Sequence, residues 1–142
     1  MDDINDFAAF AEKLADASGE IVLSYWRSQL EVIRKSDESP VTKADREGEK
    51  KIRELIEAEY PHHGISGEEF GDVRLDAEYI WSLDPIDGTK AFISGSPLFG
   101  TLIALLKNGV PIMGIINIPA TRERWIGGKD LPANLNGVEV SV

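Results

Sequence analysis

The residues best suited to bind a ligand or take part in a reaction lie in the stretch 79–89. An apolar run there ends in two carboxylates, Asp84 and Asp87, and Gly88 and Thr89 follow at once. Hard divalent cations such as Mg²⁺ prefer carboxylate oxygens and water as ligands. The free N–H groups at the start of a helix attract phosphate. This stretch therefore predicts a place where a metal ion and a phosphate group meet.

The elements around this stretch must bring both carboxylates to one side. We expect a buried strand that ends at Asp84 and a turn, stiffened by Pro85, that brings Asp87 round to the same side. A helix is expected to begin at Gly88 and Thr89. An ordinary turn is the alternative interpretation, because Asp-Pro and Asp-Gly favour turns and threonine caps helices.

Two further acidic segments precede this stretch. Thr42 is followed by Asp45 at the spacing of a capping box, and a second helix is expected from there to about Glu59. Asp45 is a candidate site residue, with helix capping as the alternative. Glu68 and Glu69 lie between glycines, where another backbone can approach closely, although adjacent glutamates are often only solvated.

Composition and charge exclude several classes of function. The chain has 142 residues, of which 42% are hydrophobic and 28% charged, so a folded domain is expected. The net charge of −10 argues against nucleic acid and anionic membranes as partners, because phosphate contacts need lysine and arginine. Without cysteine, disulfides, thiolate nucleophiles and cysteine-ligated zinc are excluded. With an acidic start and no long apolar run, a cytoplasmic location is expected.

Hydrophobic spacing outlines the elements that carry these residues. An amphipathic helix is predicted over about residues 4–27, and a short strand within residues 64–71. Asn108 and Gly109 separate two long apolar runs, which is a strong β-hairpin signal. Weaker patterns predict strands at residues 30–34, 122–126 and 138–142, with a loop at 36–40.

Together these patterns predict an α+β fold, with two long helices packed on a mostly antiparallel sheet. His62 and His63 are predicted to lie on the surface, because adjacent residues of a regular element do not converge on one metal. The tryptophans are predicted to be core or interface residues.

The order and spacing of the acidic segments resembles the inositol monophosphatase family of Mg²⁺-dependent, lithium-sensitive phosphatases. Three segments and the long hairpin carry this resemblance: residues 42–45, residues 67–69, and the Asp-Pro-Ile-Asp-Gly-Thr sequence at residues 84–89. Within the family, residues 90–104 and 122–127 look more like the bacterial histidinol-phosphate phosphatases than the inositol phosphatases.

The resemblance implies a set of metal ligands. Glu68, Asp84 and the carbonyl group of Ile86 would hold one Mg²⁺, and Asp84 and Asp87 would share a second. Glu69 would help to hold a more weakly bound ion or its waters. Two or three Mg²⁺ ions are therefore expected in a complete site.

The resemblance also implies a catalytic pair and a phosphate cradle. Thr89, held by Asp45, would orient and deprotonate the attacking water, and the N–H groups of Gly88 and Thr89 would cradle the phosphate. Two metal ions can lower the pKa of such a water and stabilise the leaving oxygen. No covalent intermediate on the enzyme is needed.

Essentially the whole chain takes part in the resemblance, but it corresponds to only half of the family's layered αβαβα fold. Family members continue through a second α/β half, which carries a Trp-Asp-x-Ala segment whose aspartate binds metal. Such a segment is missing, since Asp130 is the last aspartate, so residues 1–142 are expected to form a truncated, N-terminal metal-binding domain. A sheet face left bare by the missing half predicts self-association, for example as a homodimer.

Three functions follow as expectations. The first is hydrolysis of histidinol phosphate, a step of histidine biosynthesis. The second is the same chemistry on inositol 1-phosphate or a related sugar or nucleotide phosphate. The third is a non-catalytic cation-binding module, which the missing aspartate favours. The partner in the first two is a small phosphomonoester.

Overall fold

The computed structural model describes residues 3–27 and 40–141 of the chain. The strand predicted at residues 30–34 lies outside the described residues, as does all but Pro40 of the loop predicted at 36–40. Within the described part, no helix is long and apolar enough to cross a membrane.

Three helices are present in the described residues. They are α1 (Ile4–Tyr25), α2 (Pro40–Glu59) and the short α3 (Thr89–Ser94). Asp3 caps α1, because its carboxylate accepts the Asn5 N–H at 3.0 Å. The capping box predicted at Thr42 is wrong: α2 already begins at Pro40, and proline suits a first helical position because it has no N–H to satisfy.

The strands form one eight-stranded sheet in the order β2-β1-β3-β4-β5-β6-β7-β8. Their bounds are β1 Gly64–Gly67, β2 Gly71–Val73, β3 Tyr79–Asp87, β4 Gly100–Lys107, β5 Val110–Ile118, β6 Glu123–Gly128, β7 Leu131–Leu135 and β8 Val138–Glu139. All neighbouring strands pair antiparallel except β1 and β3, which are parallel. The predicted α+β class with a mostly antiparallel sheet is confirmed. The strand predicted at residues 138–142 is shorter, because only Val138–Glu139 pairs with β7.

The predicted hairpin joins β4 to β5. Asn108 and Gly109 both have positive φ, at 50° and 82°. A tight two-residue turn needs such a backbone, and asparagine and glycine adopt it most readily. The central two strands of the sheet are therefore specified locally.

The main core lies between the two long helices and one face of the sheet. Phe7 and Leu14 of α1 and Ile52 of α2 are buried there against alternate residues of the central strands. These strand residues are Trp81, Leu83, Ile103, Leu105, Met113 and Ile115. A second, smaller cluster joins the end of α1, the start of α2 and helix α3; it contains Val22, Val41, Ala44, Ile86, Phe92 and Phe99. This second cluster underlies the candidate site.

The histidine pair divides between surface and core. His62 is exposed, as predicted, but His63 is only 8% exposed, so the surface prediction is wrong for that residue. Its Nδ1 accepts a hydrogen bond from Trp81 Nε1 at 3.0 Å, and its ring stacks on Tyr60 at 4.5 Å. A buried imidazole with a hydrogen-bond partner is stable in a core.

The other face of the sheet is less covered. Ile116 and Trp125 lie there with 48% and 39% of their surface exposed, beside an apolar cavity of about 560 Å³. Trp125 is thus not a core residue, in contrast to Trp81.

Candidate metal and phosphate site

The two aspartates of the central stretch meet because β3 is bulged. Asp84 pairs with Leu102 of β4 and Asp87 pairs with Gly100, so three steps along β3 oppose two steps along β4. In a regular strand, residues three apart face opposite sides, and one extra residue removes this difference. The turn predicted at Pro85 is therefore wrong: the strand continues to Asp87, and its bulge performs the task expected of the turn.

A buried hydroxyl group holds the bulge. Thr101 on β4 is fully buried, and its Oγ1 donates a hydrogen bond to the carbonyl oxygen of Pro85 at 2.8 Å. The main chain thereafter enters α3 through Gly88, which has a φ of 91° and serves as the N-cap. A Cβ at this glycine would lie 3.1 Å from the carbonyl oxygen of Leu98. The helix predicted to begin at Gly88 and Thr89 is confirmed.

A single cavity of about 200 Å³ gathers all of the predicted site residues. They come from α2, from the loop after β1, from β3 and from the start of α3. The predicted residues lining it are Asp45, Glu68, Glu69, Asp84, Ile86, Asp87, Gly88 and Thr89. Residues as far apart in the sequence as Asp45 and Thr89, 44 positions, therefore line the same cavity.

The start of α2 at Pro40 clarifies the position of Asp45. This residue lies in the second turn of the helix, so it does not cap it. Burial and, after it, the negative charges of Glu69 and Asp84 together raise the pKa of the Asp45 carboxyl to about 7, against an opposing effect of the Ile86 N–H. Asp45 therefore faces the other acids and not the helix end.

Crowding of carboxylates has the same effect on Asp84. Burial raises the pKa of this group, and the negative charges of Asp87 and Glu68 add to the effect. The N–H group of Ile86 partly opposes the shift. Like charges in one cavity disfavour the charged form of each member, and a bound cation would reverse this.

The donor set fits a hard divalent cation. Among the described residues that line the cavity, six are Asp or Glu and none is Lys or Arg. Carboxylate and carbonyl oxygens are the ligands that Mg²⁺ prefers. However, within residues 3–27 and 40–141 no three acidic or histidine side chains form a ready ligand group, so some of them would have to rotate onto an ion.

The structure brings Asp45 and Thr89 to the same cavity without a bond between their side chains. No hydrogen bond joins the carboxyl and the hydroxyl group in the described part of the chain. Catalytic hydrogen bonds are often long before substrate is bound, so this geometry is compatible with the predicted pair.

Sequence reasoning missed two residues of the site. Glu49 lines the cavity four residues after Asp45, and this helical spacing was the signal that could have found it. Thr101, which holds the bulge, is a polar residue in the otherwise apolar run of β4.

Comparison with known proteins identifies the family of the chain. Residues 3–142 match the inositol monophosphatase family. This chain belongs to the inositol monophosphatase family. The relationship predicted from the acidic segments is thereby confirmed.

Within the family, the chain is similar to a protein named as a bifunctional phosphatase and to proteins named as histidinol-phosphatases. It is 48% identical over 141 residues to the chloroplastic bifunctional phosphatase IMPL2 of Arabidopsis thaliana, a match that covers 98% of this chain and 41% of the relative. It is 42% identical over 133 residues to the histidinol-phosphatase of Chlorobaculum parvum, which covers 93% of this chain and 51% of the relative.

A solved structure shows the same fold. An inositol monophosphatase from Zymomonas mobilis superposes with a TM-score of 0.89 at 46% sequence identity. The match covers 100% of this chain and 55% of that one. The chain thus spans about half the length of the family members it matches.

Proposed function

We propose that this chain forms the metal-binding part of a Mg²⁺-dependent phosphomonoesterase that acts on histidinol phosphate. The observation that carries the proposal is the single cavity in which all predicted ligands and the predicted catalytic pair meet. The similarity to histidinol-phosphatases supports the choice of substrate.

The resemblance to the family suggests the proposed ligands, and their presence in the lining of the cavity supports them. Glu68, Asp84 and the carbonyl group of Ile86 would hold one Mg²⁺, and Asp87 would share a second with Asp84. Glu69 would support a third, weaker ion. When bound, these ions would neutralise the carboxylates and supply Lewis-acid activation of water and of the leaving oxygen.

The residues of the chain itself orient the reactants. The Thr89 hydroxyl group would accept a hydrogen bond from the attacking water, and the Asp45 carboxylate would receive the proton that Thr89 passes on. The backbone N–H groups of Gly88 and Thr89 would donate to the phosphate oxygens. The positive φ of Gly88 and the position of both residues in the lining of the cavity support this role.

A second candidate is hydrolysis of inositol 1-phosphate or a related sugar phosphate. The 46% identity to the inositol monophosphatase of Zymomonas mobilis favours it. The metal site and catalytic pair would be the same in both cases, and only the groups that contact the alcohol half of the substrate would differ.

The test is release of inorganic phosphate by the purified protein from both substrates during a Mg²⁺ titration, with Mn²⁺ binding measured in parallel. Faster Mg²⁺-dependent release from histidinol phosphate is the expected result. Faster release from inositol 1-phosphate would support the second candidate. Cation binding without release from either substrate would indicate a non-catalytic module, and absence of both would contradict the proposal.

A further inference from the structure

Glu49 is a fully buried acid that the proposed reaction does not use. Its side chain is 0% exposed, and both of its oxygens have hydrogen-bond donors. Oε1 accepts the N–H of Glu69 at 3.2 Å, and Oε2 accepts the N–H of Phe70 at 3.1 Å. The carboxylate therefore binds the main chain of the segment that carries Glu68 and Glu69.

Arg53 completes this attachment one helical turn further along α2. Its Nε donates to Glu49 Oε2 at 2.9 Å, and its Nη2 donates to the carbonyl oxygen of Gly71. The arginine side chain is only 12% exposed. The pair thus holds the loop between β1 and β2 at three backbone groups, and the buried charge of the acid is neutralised by its partner.

Gly67 provides the space for this arrangement. A Cβ at this position would lie 2.6 Å from the Glu49 carboxyl carbon, which is closer than any real contact. The carboxylate can therefore approach the loop only because residue 67 has no side chain.

The occupied oxygens distinguish Glu49 from the proposed ligands. Although it lines the same cavity, its lone pairs are directed at two main-chain N–H groups and at Arg53. Three of the roughly four lone-pair positions of this carboxylate are thus already used, so a bond to a cation would compete with these hydrogen bonds. Glu49 is therefore suited to hold the loop that carries Glu68 and Glu69, and not to bind the cation itself.

We propose that Glu49 and Arg53 are positioning residues that set the approach of Glu68 and Glu69 to the metal ions. This inference rests on the proposed metal site. Groups that orient metal ligands typically contribute about 10–100-fold to metal affinity. The pair should thus control cation affinity without touching a cation.

The test combines Mn²⁺ titration, followed by electron paramagnetic resonance, with amide hydrogen exchange by NMR. Glu49→Gln keeps the shape of the side chain but loses the charge and one acceptor. It should weaken Mn²⁺ binding by about tenfold or more and speed exchange of the Glu69 and Phe70 amides. Arg53→Lys keeps the net charge but loses the planar fork, and it should weaken binding in the same direction.

Glu57→Gln is the matched control. It lies on the same helix and loses the same charge, and neither Glu57 nor Arg74, with which it forms an ion pair at 2.7 Å, lines the cavity. It should bind Mn²⁺ like the unmodified chain. If Glu49→Gln does not fold, Arg53→Lys still tests the inference.

The outcomes separate the two proposals. No Mn²⁺ binding by the unmodified chain would contradict the metal site itself. Normal binding by the unmodified chain together with unchanged affinity in Glu49→Gln and Arg53→Lys would overturn only the positioning role, even if the amides exchanged faster.

Discussion

The two ends of strand β3 follow different rules. At the start, Ile80 to Leu83 keep a regular register with both neighbouring strands, and the buried indole N–H of Trp81 is paired with His63. At the end, the register shifts, and Asp84 and Asp87 face a cavity crowded with like charges. One strand thus combines an end that stabilises the fold with an end whose charges raise each other's energy until a cation is present.

The difference shows where stability and chemistry are separated. The first end lies in the main core between the helices and the sheet, and the second lies over the smaller cluster around Phe92 and Phe99. Substitutions at the first end should change folding, and those at the second should change cation binding and turnover.

The largest effect on stability is expected for Trp81→Ala. Loss of a fully buried tryptophan should lower the free energy of unfolding by about 3–5 kcal/mol. Urea unfolding followed by circular dichroism measures this. Trp125→Ala, at a residue 39% exposed on the other face, is the control and should have a much smaller effect. Equal losses for the two would contradict the assignment of the core.

Asp87→Asn tests the end of β3 that faces the cavity, where we expect an effect on cation binding and turnover. Removal of a proposed shared ligand should weaken cation binding and lower phosphate release by about a hundredfold to a thousandfold, because metal ions contribute several kcal/mol to such reactions. Phosphate release against Mg²⁺ concentration is the measurement. Asp76→Asn removes an exposed acid that does not line the cavity and should behave like the unmodified chain. Near-normal turnover of Asp87→Asn at moderate Mg²⁺ would contradict the ligand assignment.

Thr89→Ala should affect turnover alone. Loss of the proposed water-orienting hydroxyl group should slow hydrolysis by about a hundredfold, at the lower end of general acid–base effects. Mn²⁺ affinity should stay unchanged, and Thr89→Ser should restore most of the rate. A large loss of metal affinity in Thr89→Ala would instead indicate that the hydroxyl group is a ligand.

The smallest effect on stability is expected at the bulge between the two ends of β3, which Thr101 holds. Thr101→Val removes the hydrogen bond to the Pro85 carbonyl group while keeping the size of the side chain, and should lower stability by about 1 kcal/mol. Because the bond holds the bulge, Mn²⁺ affinity should fall as well. Thr121→Val, at an exposed turn, is the matched control. A change in stability without a change in affinity would mean that the bulge persists without this bond.

Much of the fold was predictable because its signals are local. The spacing of apolar residues predicts α1 and α2, and Asn108-Gly109 predicts the central hairpin, since each pattern acts within a few residues. The strands β2 and β7 escaped prediction because β2 is three residues long and β7, with Pro132 and Asn134, has no clear alternation.

The site was predictable in its membership but not in its construction. Eight of the residues that line the cavity were predicted, from their types and spacing or from the resemblance to the family, but Glu49 was not. The turn expected at Pro85 is a bulge, because its geometry depends on Gly100 and Leu102 of the neighbouring strand. The burial of His63 likewise depends on Trp81, which lies 18 positions away.

By itself the sequence determined the family, the long helices, the hairpin and five of the six acidic residues that line the candidate site. Only the tertiary structure decided that Asp84 and Asp87 face one cavity, that Asp45 does not cap α2, and that Glu49 binds the loop rather than the solvent. The physical reason is the distance along the chain over which each kind of interaction acts. Propensities and turn chemistry act between near neighbours, whereas a bulge, a buried carboxylate and a shared cavity exist only when distant segments are packed together.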